Sequence, residues 1–147
     1  AQRLDPPAPP PPPPAPAPPH VVAAQEVLAL VNAERRARGL APMVLDGRLG
    51  NIAQSHSVDQ AARRTMSHTG GDGSTLRVRM DRSGFPWRSA GENVAYGYRT
   101  PAAVMNGWMN SSGHRANVLG SFTHLGVGLA YSSTGVPYWT QVFATPR

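Results

Sequence analysis

The chain has 147 residues, 16 prolines, no cysteine and a formal net charge of +6. Without cysteine it can hold no disulfide framework, thiolate metal site or thiol nucleophile, and no stretch approaches the roughly 18 consecutive apolar residues of a membrane-spanning helix. All 14 basic residues are arginine, whose planar guanidinium suits phosphate and carboxylate groups, so the composition favours acidic partners. The alternative is that arginine simply replaces lysine over an ordinary solvated surface.

Residues 1–19 form a proline-rich segment with eleven of the 16 prolines. Proline fixes its own backbone angle and donates no hydrogen bond, which favours an extended polyproline II arm, on the order of 40 Å long. One interpretation is a stalk that holds the domain away from a wall or membrane. The other is a ligand for a proline-binding groove, or a contact through which copies assemble. We favour the stalk, and we place one domain at residues 20–147. Because the first residue is alanine, we expect a processed or recombinant start, with any signal peptide already removed.

Apolar periodicity predicts two helices at the start of the domain. In the first, which follows His20 and ends near Gly39, the apolar positions are Ala24, Val27, Leu28 and Val31, while Glu34, Arg35 and Arg36 face water. The second begins at Asp46, a good N-terminal cap, and runs to about Arg64. Its apolar face carries Leu49, Ile52, Ala53 and His56.

A turn-rich stretch at 67–73 precedes a short helix predicted at 74–82. Thr100-Pro101, a cap followed by proline at the first helical position, predicts the next helix. Ser111-Ser112 is predicted to cap another helix, which runs through Leu119. The last segments alternate apolar and small or polar residues, which predicts a hairpin of two strands at 125–129 and 138–143 around the turn at Thr134-Gly135. Helices first and strands last indicate an α+β domain.

Five histidines and three glutamates limit the possible sites. His20 lies at the end of the arm and needs no function. We interpret His56, on an apolar helix face, as a core residue, and His124, at the start of a strand, as structural or exposed. His68 and His114 lie beside glycine and hydroxyl residues, in a loop or at a helix start, where a side chain can face a cleft. Glu92 is a lone acid in a weakly charged stretch, and a buried carboxylate needs a partner or a metal ion.

His68, Glu92 and His114 together form a candidate Zn²⁺ site, because two imidazoles and one carboxylate leave the open position of catalytic zinc. The alternative is a hydrogen-bonded polar cluster that ties loops together. Other catalytic patterns are missing from the sequence: there is no Gly-x-Ser-x-Gly elbow, no His-Glu-x-x-His and no phosphate-binding loop.

Several segments, in order, resemble the CAP superfamily of cysteine-rich secretory, antigen 5 and plant pathogenesis-related proteins. They span most of residues 22–144 and are Leu30–Arg35, Ser67–Thr69, Gly91–Ala95, Trp108–Asn117, Gly126–Gly128 and Tyr138–Phe143. One such segment would be a weak signal, but the ordered set is specific. The absence of cysteine resembles the bacterial secreted branch of the family.

The resemblance implies a three-layer α-β-α sandwich, the CAP fold, preceded here by the extended Pro-rich arm. It also implies a central cleft lined by two histidines and two acids. His68, Glu92 and His114 match three of these positions, whereas the fourth acid is replaced by Ser111 or a neighbour such as Asn110. These two side chains remain able to hydrogen-bond a ligand or a metal-bound water.

Family members are secreted, and several bind sterols, fatty acids, other lipids or divalent metals, without an agreed common reaction. Our first hypothesis is therefore a secreted binding module, free or associated with the cell wall, for a lipid, wall polymer or other anionic ligand. The second is a Zn²⁺-assisted hydrolase that uses His68, Glu92 and His114. The third is an assembly protein that acts through the Pro-rich arm. We do not expect nucleic acid among its partners.

Overall fold

The structure is a computed structural model that describes residues 4–147. Residues 4–18 are exposed and lie outside helix and strand. The helices are α1 (Pro19–Arg36), α2 (Gly47–Arg63), α3 (Leu76–Arg82), α4 (Pro101–Met109) and α5 (Ser112–Val118). Asp46, Thr75 and Thr100 cap α2, α3 and α4, because each side-chain oxygen accepts a hydrogen bond from a backbone N–H of the first turn. The helices predicted from periodicity and capping residues are therefore confirmed.

The strands β1 (Val44–Leu45), β2 (Trp87–Tyr96), β3 (His124–Tyr131) and β4 (Pro137–Pro146) form one sheet in the order β1-β3-β4-β2. β1 runs parallel to β3, and the other two pairs are antiparallel. The predicted β3–β4 hairpin is confirmed. β2 was not predicted, since its glycine and polar residues break the apolar alternation; its pairing along the whole of β4 supplies what local propensity lacks.

Helices cover both faces of the sheet. On one face α1, α4 and α5 bury a large apolar cluster against the sheet, with Trp108, Trp139 and Phe143 as its bulkiest members. On the other face α2 and α3 enclose a smaller cluster that includes Leu49, Met80 and Val142. The α+β class and the α-β-α sandwich are thus confirmed. No helix within residues 4–147 has both the length and the apolar character needed to cross a membrane.

Two glycines bring α2 into direct contact with β3. A Cβ atom added at Gly126 would collide with the backbone of Leu49, and one added at Gly128 would collide with the backbone carbonyl of Ala53. The side-chain amide of Gln54 then bonds both backbone groups of Leu129, at 2.9 Å and 2.8 Å. The Gly-Val-Gly segment therefore sets the distance between helix and sheet.

The prediction that Arg35 faces water is wrong. The residue is 4 % exposed, and its guanidinium donates hydrogen bonds to Ala41 O at 2.7 Å, Val118 O at 3.0 Å and Gly120 O at 2.6 Å. Two of these carbonyls lie at the C-terminal end of α5, where the helix dipole favours a cation. Burial lowers the pKa of Arg35 from its usual value. Helical periodicity could not reveal this role because the three acceptors lie outside α1.

Candidate functional site

Glu92 lies at the centre of a buried polar cluster. β2 places its carboxylate, 2 % exposed, between the helices and the loop that follows α2. Oε1 accepts a hydrogen bond from His68 Nδ1–H at 2.9 Å, and Oε2 accepts one from the Arg79 guanidinium at 2.8 Å. His56 Nε2 lies 3.9 Å from Oε1. We call His56, His68, Arg79 and Glu92 the Glu92 cluster.

The loop that carries His68 is held from several sides. His56 Nε2–H donates to Ser67 O at 2.6 Å, and Ser67 N–H donates to Gln60 Oε1 at 3.0 Å. Arg79 also donates to His68 O at 2.9 Å. The His68 side chain bonds Glu92 through Nδ1 and is 61 % exposed. The arrangement fixes the position of a histidine at the surface of the domain.

His56 and Arg79 belong to this cluster although sequence reasoning did not place them there. His56 is a buried residue of α2, as predicted, and it also positions the loop. Burial, more than any other cause, lowers its pKa below the ordinary 6.5, while the nearby Glu92 carboxylate opposes that shift. Arg79 was not singled out, because a buried carboxylate demands a cation without indicating which of 14 arginines supplies it.

His114 lies in α5 and is held through its backbone. Its carbonyl accepts a hydrogen bond from Asn93 Nδ2 at 3.0 Å, and Asn93 Oδ1 accepts one from Asn117 Nδ2 at 2.9 Å. Asn117 also donates to Glu92 O at 3.3 Å. Burial, and then the nearby His68, lower the pKa of His114 below 6.5. This asparagine network connects the strand that carries Glu92 to the helix that carries His114.

The two remaining predicted residues lie between α4 and α5. Asn110 ends α4 and is exposed, while Ser111 precedes α5 without capping it through its side chain. The Ser111 hydroxyl is therefore not used by the helix. Ser111 lines a cavity together with His114, so these two are brought together, whereas Asn110 does not line it.

Two cavities adjoin these residues. One, of about 590 Å³, lies between α2 and α3 and is lined by His56, Arg79 and other polar residues. The other, of about 560 Å³, lies at the end of β2 beside α4 and α5. We call the second cavity the tyrosine groove, after its lining residues Met66, Tyr96, Tyr98, Ser111 and His114.

The donor set fits a three-ligand zinc site poorly. Both Glu92 oxygens already accept hydrogen bonds, and the Arg79 guanidinium would repel a dication at the same carboxylate. Within residues 4–147 no group of three or more His, Cys, Asp or Glu side chains is placed to hold a metal ion. The contacts instead match a polar cluster that ties loops together. Zinc binding through the rings of His68 and His114 stays a prediction.

Comparison with known proteins agrees with this architecture. A scan against protein families matches residues 28–143 to CAP, the cysteine-rich secretory protein family. The protein YkwD of Bacillus subtilis (strain 168) is 39 % identical over 128 residues, which are 85 % of this chain and 49 % of YkwD.

Solved structures share the fold. An extracellular protein containing a SCP domain from Bacillus anthracis (strain Ames) is 30 % identical with a TM-score of 0.77, covering 89 % of this chain and 45 % of that one. An outer surface protein of Borrelia burgdorferi has a TM-score of 0.77 at 18 % identity, covering 84 % of this chain and 92 % of that one. The chain thus spans about half the length of the two Bacillus proteins. These relatives are bacterial, as the sequence predicted.

Proposed function

The chain belongs to the cysteine-rich secretory protein (CAP) family, and on that premise we propose that it is an extracellular binding module for an anionic polymer of the cell envelope. The extracellular location is supported by the similar SCP-domain protein of Bacillus anthracis, described as extracellular. Association with the wall is part of the same proposal, as is the division of the chain into a Pro-rich arm at residues 1–19 and a domain at 20–147.

The observation that carries the proposal is the distribution of charge. Five of the seven acids in residues 20–147 pair with an arginine, and Glu92, the acid of the cluster, is among them. Eight arginines of this range have no carboxylate partner among the described residues. Arg35 is buried and bonds carbonyl groups, and the other seven are Arg36, Arg64, Arg77, Arg88, Arg99, Arg115 and Arg147. These seven arginines are exposed, so their guanidinium groups are available at the surface to bind phosphate or carboxylate groups.

Two of these arginines are next in the chain to residues that line the tyrosine groove. Arg99 follows Tyr98 and Arg115 follows His114 in the chain, and both are exposed. A polymer of repeated anionic groups would contact several arginines at once, each contact being weakened by salt. Glu92 is already paired with Arg79. Its carboxylate therefore repels a bound anion less than an unpaired carboxylate would.

The test is binding of the purified chain to a polyol-phosphate polymer, to a neutral glycan, and to vesicles of phosphatidylglycerol or phosphatidylcholine over a salt series. We expect retention on the polymer that falls as salt rises and that persists in His68→Ala and His114→Ala. The pair Arg99→Gln and Arg115→Gln should weaken it more than Arg36→Gln with Arg147→Gln, which removes the same charge. Binding to phosphatidylglycerol alone would identify a lipid ligand, and no binding to any anionic partner at low salt would contradict the proposal.

The zinc-assisted hydrolase is the alternative. It would require His68 and His114 to bind Zn²⁺ with Glu92 as ligand or base, and the engagement of Glu92 by Arg79 at 2.8 Å counts against that role. Calorimetric titration with Zn²⁺ separates the two functions. Heat that disappears in His68→Ala would favour the metal site, while equal heats in the two proteins would remove it.

A further inference from the structure

The tyrosine groove carries exposed aromatic surface that the domain itself does not cover. Tyr96 is 54 % exposed and Tyr98 is 38 % exposed, and Met66 beside them is also exposed. Three large apolar side chains at the rim of one cavity are typical of a surface that receives a partner.

The two tyrosine rings are held in place. Tyr96 stacks on Tyr138 with ring centroids 5.7 Å apart and an interplanar angle of 19°. Tyr98 lies over Gly107, where an added Cβ would come within 2.6 Å of its ring, and its carbonyl accepts a hydrogen bond from Trp139 Nε1–H at 2.7 Å. A ligand would therefore meet two ordered rings, at little cost in side-chain entropy.

The groove also provides hydrogen-bond donors. The indole N–H of Trp108 is used inside the domain, by Val94 O at 3.2 Å, and that of Trp139 is used by Tyr98. The phenol groups of Tyr96 and Tyr98 and the hydroxyl of Ser111 remain at the rim. A ligand that presents acceptors without donors, together with compact apolar rings, would match this lining.

A polyproline II segment has this chemistry. Its carbonyl groups make no internal hydrogen bonds, proline has no N–H to leave unpaired, and its rings pack into grooves lined by aromatic side chains. The chain contains such a segment: residues 6–19 are proline except for three alanines. It is exposed throughout residues 6–18.

We propose that the Pro-rich arm of one copy docks in the tyrosine groove of a second copy. The arm leaves α1 as an extended segment, with Pro18 at φ −54° and ψ 147°, and a stiff polyproline II arm cannot fold back over its own domain without a turn. Its length, on the order of 40 Å, allows the far end to reach a neighbouring molecule.

Sedimentation equilibrium of the full-length chain over a concentration series tests the proposal. One variant replaces residues 6–18 by Gly and Ser at the same length, and another carries Tyr96→Ser and Tyr98→Ser. The control is Tyr131→Ser, because Tyr131 is 54 % exposed but does not line the groove. We expect association in the original chain and in the control, weakened about tenfold or more in both other variants.

Mixing the two defective variants adds a sharper test. One keeps its groove and the other keeps its arm, so together they should form a mixed dimer that neither forms alone. A synthetic peptide of residues 5–19 should also bind the arm-substituted chain and compete with this dimer. The proposal is overturned if the original chain stays monomeric, or if the tyrosine substitutions leave its association unchanged. Peptide binding without association would place the arm on its own domain and would also overturn it.

Discussion

The two faces of the central sheet are packed in different ways. β4 turns Trp139 and Phe143 toward α1 and α4, where large side chains fill the space between the layers. On the opposite face β4 presents Thr140, Val142 and Ala144, and β3 presents Gly126 and Gly128, so α2 approaches until its backbone touches the sheet.

This difference explains why the Glu92 cluster lies on the α2 face. With the helix so close, short polar side chains can bond across the layer: Ser57 Oγ lies 2.8 Å from Thr140 Oγ1, and Gln60 donates to the same oxygen at 3.2 Å. The same turns of α2 supply His56 and Gln60 to the loop of His68. The α1 face is filled mainly by large apolar side chains. The tyrosine groove lies at the end of the edge strand β2, beside α4 and α5.

The strongest test of this contrast is Glu92→Ala, which would leave the buried guanidinium of Arg79 without its carboxylate. We expect a loss of about 4 kcal/mol in the free energy of unfolding, measured by urea denaturation, because an uncompensated buried charge is costly. Glu92→Leu combined with Arg79→Met removes both charges and should cost less than Glu92→Ala alone. Equal or greater loss in the double variant would show that the ion pair is not the cause.

The close approach of α2 is tested by Gly128→Ala. The added methyl would meet the backbone of Ala53, which cannot move aside as a flexible side chain could, so we expect a loss of about 3 kcal/mol. Gly50→Ala in α2 is the matched control: its Cβ meets nothing within 4 Å, and alanine should stabilise the helix by about 0.5–1 kcal/mol. Changes of the same sign in both variants would contradict the close-contact account.

On the α1 face, Arg35 is a buried charge beside the apolar packing, and Arg35→Met tests its importance. Methionine keeps the aliphatic part of the side chain but leaves the carbonyl groups of Ala41, Val118 and Gly120 without their donor. We expect a loss of about 2 kcal/mol. Arg35→Lys should also be destabilising, since the lysine ammonium cannot reproduce the geometry in which the arginine guanidinium bonds these carbonyl groups. A loss below about 0.5 kcal/mol in Arg35→Met, as at an ordinary surface position, would restore the prediction that this residue faces water.

The same contrast determines what could be predicted from sequence. Helices α1 to α4 and the β3–β4 hairpin follow from apolar spacing and from caps such as Asp46 and Thr100, which are local signals. The resemblance to the CAP family placed Glu92 and the histidines in one cleft. Arg79, Arg35 and strand β2 could not be predicted, because each depends on partners distant in the chain: Glu92, the end of α5, and β4. The tyrosine groove also depends on such packing, since Gly107 leaves the space that Tyr98 occupies.

The smallest effect expected is a pH dependence that belongs mainly to the α2 face. The pKa of His56 is lowered in the folded chain, chiefly by burial, and that of His114 is lowered too. Below about pH 6.5 the unfolded chain therefore binds more protons than the folded chain. The contribution of these histidines to the free energy of unfolding is complete above that pH and is lost as the pH falls. The loss is at most about 1.4 kcal/mol per pH unit for each histidine. Around His56, the Glu92 and Asp59 carboxylates oppose this loss and Arg79 reinforces it.

The variant His56→Gln tests this pH dependence, because glutamine retains a donor for Ser67 O but does not titrate. Urea denaturation between pH 5 and 7 should show that the stability of His56→Gln depends less steeply on pH than that of the original chain, with His20→Gln as control. An unchanged slope in His56→Gln, or stability that rises on acidification, would show that His56 is not held neutral by its burial on the α2 face.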